Sequence, residues 1–189
     1  AAMNPIAPLA PIEPAFAESA AFVEASLDML LPKPSGPETR LIEAMRYATM
    51  GGGKRLRAFF VLQSGRLFGV DRRALARVAA AVECLHAYSL AHDDLPAMDD
   101  DDVRRGKPSL HKAFDEATAI LAGDALLTLS FGLIASPEAH GDPFVRCELV
   151  SRLAFAAGHS GMVGGQMMDI SLEGRNPGLQ EITRLARMK

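Results

Sequence analysis

Residues 71–96 read DRRALARVAAAVECLHAYSLAHDDLP, and this stretch decides the fold. Leu75, Val78, Ala79, Val82, Leu85 and Leu90 recur at helical intervals, Asp71 stands where an N-cap would, and Pro96 forbids continuation. The pattern is that of one long helix with an apolar stripe. Outward from it, the same period recurs. Upstream it predicts helices over 16–31, 38–50 and 54–68, punctuated by the Pro-rich loop 32–37, by Gly51 to Gly53 and by Gly69. Downstream it predicts helices near 115–135 and 143–158, another through 161–169, and a last one that begins after Pro177 and is still running at Lys189. No segment alternates with period two, and alanine and leucine are abundant, so an all-α helical bundle with short Gly/Pro-marked turns is expected. Pro5, Pro8, Pro11 and Pro14 suit an extended arm. Residues 1–14 are accordingly read as a flexible tail and 15–189 as a single domain.

Composition bounds the function. The chain has 189 residues, 20 basic and 23 acidic side chains, a formal charge of −3 and 49% hydrophobic residues, which fits one globular domain and argues against a nucleic-acid surface. The most apolar run, Ala125 to Ala135, is too short for a membrane span and is interrupted by Thr128, Ser130 and Gly132. The N-terminus lacks a basic region followed by an apolar core, so no secretory signal is expected. Cys84 and Cys147 have no metal-ligand spacing around them and are read as buried free thiols, with a reducing, cytoplasmic location as the default.

The charge is unevenly spread. Residues 93–102, DDLPAMDDDD, carry six aspartates, and the following VRRGK (103–107) brings three basic side chains directly after them. Clustered carboxylates raise one another's pKa unless cations neutralise them, and an oxygen-only donor set without nearby Cys or paired His favours Mg²⁺. The spacing fails the EF-hand pattern. On an unbroken helix Asp93 and Asp99 would face directions about 240° apart. Pro96 interrupts that helix, so the chain can loop outward and return Asp99 beside Asp93. A solvated acidic loop is the plainer alternative. Upstream, GGGKRLR (51–57) places Lys54 and Arg57 a turn apart at a helix start, a plausible diphosphate clamp. It is not a nucleotide P-loop, which needs Gly where Ala48 stands and Ser or Thr where Arg55 stands. His86 lies two turns before Asp93 on the same helical face.

Taken together, GGKRLR (52–57), ECLHAYSLAHDDLPAMDDDDVRRGKP (83–108), LAGD (121–124) and GGQMMD (164–169) resemble the short-chain trans-prenyl diphosphate synthases in identity, order and spacing. The resemblance runs from about Phe16 to the last residue. It implies an isoprenoid-synthase-type helical bundle around a central cavity, whose C-terminal helices would be missing here, in a homodimer. It implies condensation of isopentenyl diphosphate with an allylic diphosphate. Asp93 and Asp99 would hold Mg²⁺ with Asp94 oriented nearby. Arg104 and Lys189 would contact the allylic diphosphate, and Lys54, Arg57, His86 and Arg105 would hold isopentenyl diphosphate. Gln166 and Asp169 would line the cavity wall or bridge its helices. Tyr88, about 7.5 Å deeper along the helix than Asp93, would floor the hydrocarbon tail with Ser89 beside it. That aromatic, together with the two extra residues inside the aspartate motif, resembles the type that stops at a C15 product. A geranyl or geranylgeranyl diphosphate synthase remains the near alternative. A non-catalytic diphosphate-binding subunit and an unrelated magnesium or polyphosphate module are the more distant ones. The family's second aspartate-rich motif would follow Lys189, so the chain is expected to be incomplete at its C-terminus.

Overall fold

The computed structural model describes residues 12–189. The expected flexible arm falls largely outside them. Its last residues belong to the first helix, α1 (Ile12–Leu30). Pro14 sits in the opening turn of α1, where its missing N–H would have had no intrahelical acceptor and its fixed φ suits the helix, which is why the helix starts two residues before that proline rather than after it.

Then follow α2 (Thr39–Thr49), α3 (Leu56–Leu67) and α4 (Arg72–Asp93); a two-stranded hairpin, β1 (Val103–Arg104) and β2 (Lys107–Pro108); and the single turn α5 (Leu110–Ala113). The chain is completed by α6 (Glu116–Ala135), α7 (Pro143–Ala157), α8 (Met162–Leu172) and α9 (Leu179–Met188). The caps explain several boundaries. Asp71 accepts from the Arg73 N–H at 3.0 Å, Asp115 from the Thr118 N–H at 2.7 Å and Asp142 from the Phe144 N–H at 2.8 Å, the last with Pro143 beginning the helix. Helix α4 stops at Asp93, three residues short of Pro96.

Helix α4 is the central column. It packs against α1, α2, α3 and α6, and most of its buried positions are alanines, which let neighbouring backbones approach closely. Val23, Leu27, Leu62, Cys84 and Leu126 close the core between these helices with 0–1% exposure. Buried hydroxyls return to their own helices: Thr49 donates to the Met45 carbonyl at 2.7 Å and Ser130 to the Leu127 carbonyl at 2.6 Å. Helices α4 and α6 both reach the length and apolarity of a membrane span, with mean hydropathies of 1.2 and 1.8, contrary to the expectation from the run 125–135. The apolar face of α4 is covered by the other helices of the bundle.

Other departures are local. Gly52 and Gly53 take φ of 79° and 125°, Arg55 turns left-handed at φ 48°, and α3 starts only at Leu56. Lys54 therefore precedes the helix instead of occupying its first turn. The hairpin was not expected because strands of two residues leave no alternation to read. Its turn is Arg105-Gly106, both at positive φ (54° and 77°), the geometry that tight antiparallel hairpins select. Cys84 is buried as expected, but Cys147 is exposed. It lies on α7, which packs on α6 and α8 and has only Ala157 fully buried.

Candidate active site

The end of α4 folds back on itself. Past Asp93 the helical bonds continue for one turn, Asp94 N–H to Leu90 O and Leu95 N–H to His92 O. The chain then reverses so that the Asp99 N–H donates to the Asp93 carbonyl at 2.8 Å and the Asp100 N–H to the Leu95 carbonyl at 3.1 Å. Asp100 takes φ 52° to complete the reversal. Burial raises the Asp93 carboxyl above its ordinary range and the neighbouring Asp99 raises it further, while Lys189 and Arg104 pull it down. Asp94 points the other way. Its carboxylate is 3% exposed and accepts from Arg104 Nε at 2.9 and 3.2 Å, which pins the β1–β2 hairpin against the helix end.

The basic clamp lies one to two turns toward the helix start. Gly51, Gly53, Lys54, Arg57, His86 and Arg105 line a cavity of about 650 Å³. Arg105 donates to the Gly52 carbonyl, its guanidinium takes the space a side chain at Gly53 would fill, and the positive φ of Gly52 and Gly53 is what calls for glycine in this turn. Arg57 donates to His86 Nε2 at 3.4 Å. Burial first, then the field of Arg57 and Arg105, holds the His86 imidazole down to about 4, so near neutrality it is an uncharged ring among cations.

Arg57 and His86 also face a larger cavity of about 670 Å³, lined from α4 by Tyr88, Ser89, His92 and Asp93, and from α8 by apolar side chains with Gln166; Lys189 joins it beyond α9. The Tyr88 ring stands edge-on to His92, centroids 5.0 Å apart at 76°. His92 is fixed by a 3.0 Å hydrogen bond between Nε2 and the Ile120 carbonyl of α6. The Ser89 hydroxyl is turned back to the His86 carbonyl at 2.9 Å. Gln166 Oε1 is buried without a hydrogen-bond partner. Asp169 meets the cavity through Lys189, with which it forms an ion pair.

Lys54, Arg57, His86 and Arg105 thus share one cavity, and Arg57, His86, Tyr88, Ser89, Asp93, Gln166 and Lys189 share the next. Arg104 and Asp94 line a third, small recess between α2, α4 and the hairpin. The sequence reading missed the buried ion-pair network of Arg55, Glu24 and Glu83, although a glutamate on the alanine face of α4 was a signal. It also missed Asp100, Asp102 and His111, whose ligand atoms lie within 4.8 Å of one another. Those groups have local partners, since Lys112 pairs with Asp102 at 2.9 Å and Ser109 Oγ lies 3.2 Å from His111 Nδ1.

Residues 38–189 match the family model described as polyprenyl synthetase. Among curated relatives, the farnesyl diphosphate synthase of Escherichia coli (strain K12) is 51% identical over 80% of this chain and 51% of its own length. The farnesyl diphosphate synthase of Geobacillus stearothermophilus is 47% identical over 88% of this chain and 56% of its own. A crystal structure of an FPP/GFPP synthase from Zymomonas mobilis superposes with a TM-score of 0.90 at 49% identity, covering 94% of this chain and 65% of that one. The chain spans about half the length of the curated relatives it matches. A family match over most of the chain, reached by a bundle that sets residues of the GGKRLR, aspartate-rich and GGQMMD motifs around adjoining cavities, means that the chain belongs to the polyprenyl synthetase family.

Proposed function

We propose that the chain serves a short-chain prenyltransferase that condenses isopentenyl diphosphate with dimethylallyl or geranyl diphosphate to make farnesyl diphosphate. The observation that carries this reading is one cavity lined by the Arg57 cation beside neutral His86, by the Asp93 carboxyl, and by apolar side chains of α8 with Tyr88. Two diphosphates brought into one low-dielectric site repel strongly, and the clamp supplies the cations that offset this. Lys54, Arg57, His86 and Arg105 hold isopentenyl diphosphate; neutral His86 offers a ring N–H without adding a charge to desolvate. Arg104 and Lys189 serve the allylic diphosphate.

The carboxylates fit Mg²⁺. Asp93 and Asp99 are an oxygen-only pair joined through a backbone hydrogen bond, and burial first, then the neighbouring Asp99, disfavours the charged Asp93 carboxylate that a cation would stabilise. Bound there, the metal would supply Lewis-acid neutralisation of the leaving diphosphate. In the overall reaction the allylic carbon–oxygen bond breaks with its electron pair leaving on diphosphate. The isopentenyl double bond forms the new carbon–carbon bond, and a proton is lost. The chain's own residues orient the two substrates, and the apolar side chains of α8 with Tyr88 receive the hydrocarbon. Gln166 and Asp169 belong to the wall and its support. The same reading takes the protein as a cytoplasmic homodimer with one all-α domain, on the strength of the family alone.

The experiment is incubation of the full-length protein with Mg²⁺, isopentenyl diphosphate and dimethylallyl diphosphate, with the products sized by chromatography. A C15 product is expected. A C10 or C20 product would overturn the chain-length reading alone, and absence of any condensation would overturn the prenyltransferase reading.

A further inference from the structure

We propose that Glu83 and Arg55 are positioning residues for the diphosphate clamp, a buried strut that fixes where Arg57 and Lys54 stand relative to His86. The inference rests on the reading of that clamp as a diphosphate site. Arg55 lies between the two clamp cations in sequence but its guanidinium goes inward: its side chain is 4% exposed and that of Glu83 is 3% exposed. Arg55 Nη1 donates to Glu83 Oε2 at 2.9 Å, Nε donates to Glu24 Oε1 at 2.9 Å, and Nη2 donates to Glu24 Oε1 at 2.6 Å and to the Thr49 carbonyl at 2.6 Å. One side chain therefore ties the loop to α1, to the end of α2 and to α4.

Glu83 has a second task. The N-cap of α3 is Arg55 in the left-handed region, and it makes no side-chain cap. The orphan N–H of Ala58, in the first turn, is instead satisfied by Glu83 Oε1 at 3.2 Å, from a different helix. A carboxylate at a helix N-terminus is also favoured by the helix dipole. Arg57 occupies the same first turn, and His86 lies one turn beyond Glu83 on α4. The Glu83 carboxylate thus holds the turn that carries Arg57 against the helix that carries His86, its partner at 3.4 Å. Arg is required for this role because a lysine ammonium cannot reach three acceptors in fixed planar directions.

A purely electrostatic role predicts the opposite outcome from a positioning one, which makes the test sharp. Glu83→Gln removes a negative charge close to Lys54, Arg57 and Arg105, so through the field alone anions would bind more tightly. Glu83→Asp keeps the charge but shortens the strut by one methylene. Positioning predicts that in the full-length protein KM for isopentenyl diphosphate rises about tenfold in both variants and in Arg55→Lys, while KM for the allylic diphosphate stays within about twofold. Calorimetric titration with inorganic diphosphate reads the same strut without turnover. A wild-type protein that binds diphosphate but makes no product would overturn the prenyltransferase reading, and weakened binding in the Glu83 variants would still support the strut. Tighter diphosphate binding in Glu83→Gln, unchanged affinity in Glu83→Asp, or an equal loss for both substrates would overturn it. If the Glu83 variants fail to fold, Arg55→Lys and Glu24→Gln decide by the same KM split.

Discussion

The Asp99 N–H donates to the Asp93 carbonyl at 2.8 Å, closing a six-residue loop over the end of α4 and bringing the second aspartate to the first. Because of that closure Asp99 is a principal influence on the Asp93 carboxyl, second only to burial. The proline that forbids further helix is what allows the pair to form.

Asp93→Ala should lower Mg²⁺-dependent turnover by at least about a hundredfold, the size of effect seen when one preorganised electrostatic group is lost from a reacting centre. Helix content should stay unchanged, because Asp93 ends α4 and its fold-back contact uses the backbone carbonyl. Turnover assays and far-ultraviolet circular dichroism check the two halves, and normal activity would sink the metal assignment.

Tyr88→Ala should shift the product toward longer chains. The ring lies in the cavity wall edge-on to His92, and its loss opens space into which a further five-carbon unit can extend. Chromatographic sizing of the products reads this directly, and an unchanged distribution would mean that another side chain sets the limit.

The helical architecture was legible in sequence because its signals are local: the cap at Asp71, breaks at the prolines and glycines, and the apolar period between them; the caps at Asp115 and Asp142 are further local signals of the same kind. What was not legible depends on tertiary partners. Nothing near Arg55 in sequence says that it turns left-handed and inward, since the acceptors that hold it are Glu24, Thr49 and Glu83 from three other helices. The Lys54–Arg57 pair is legible in the sequence, whereas the start of α3 at Leu56 is not, because that inward turn delays the helix. The exposure of Cys147 likewise follows from how α7 packs rather than from its own pattern.

Asp94→Asn should loosen the hairpin. The Asp94 carboxylate is 3% exposed and Arg104 is its partner through two oxygens, so weakening the pair is expected to cost about 2 kcal/mol, the scale of a hydrogen bond to a charged group. Thermal denaturation measures the loss. Limited trypsin digestion should show faster cleavage after Arg104 or Arg105, and unchanged melting and cleavage would show that the pair does not hold the hairpin.

His86 gives the fold an acid sensitivity of defined sign. In the folded chain burial and the neighbouring arginines hold its imidazole at about 4, against an ordinary 6.5 when unfolded. Between those values the unfolded chain binds a proton that the folded chain refuses. The contribution of this group to stability is therefore complete above pH 6.5 and is lost as pH falls toward 4. His86→Gln removes the proton-binding group from both states. Its melting temperature should fall less between pH 7 and pH 5 than that of the wild type, measured at constant ionic strength. Equal slopes in the two proteins would mean that His86 takes up its proton alike in the folded and unfolded chain, and that neither burial nor the neighbouring arginines hold its imidazole down.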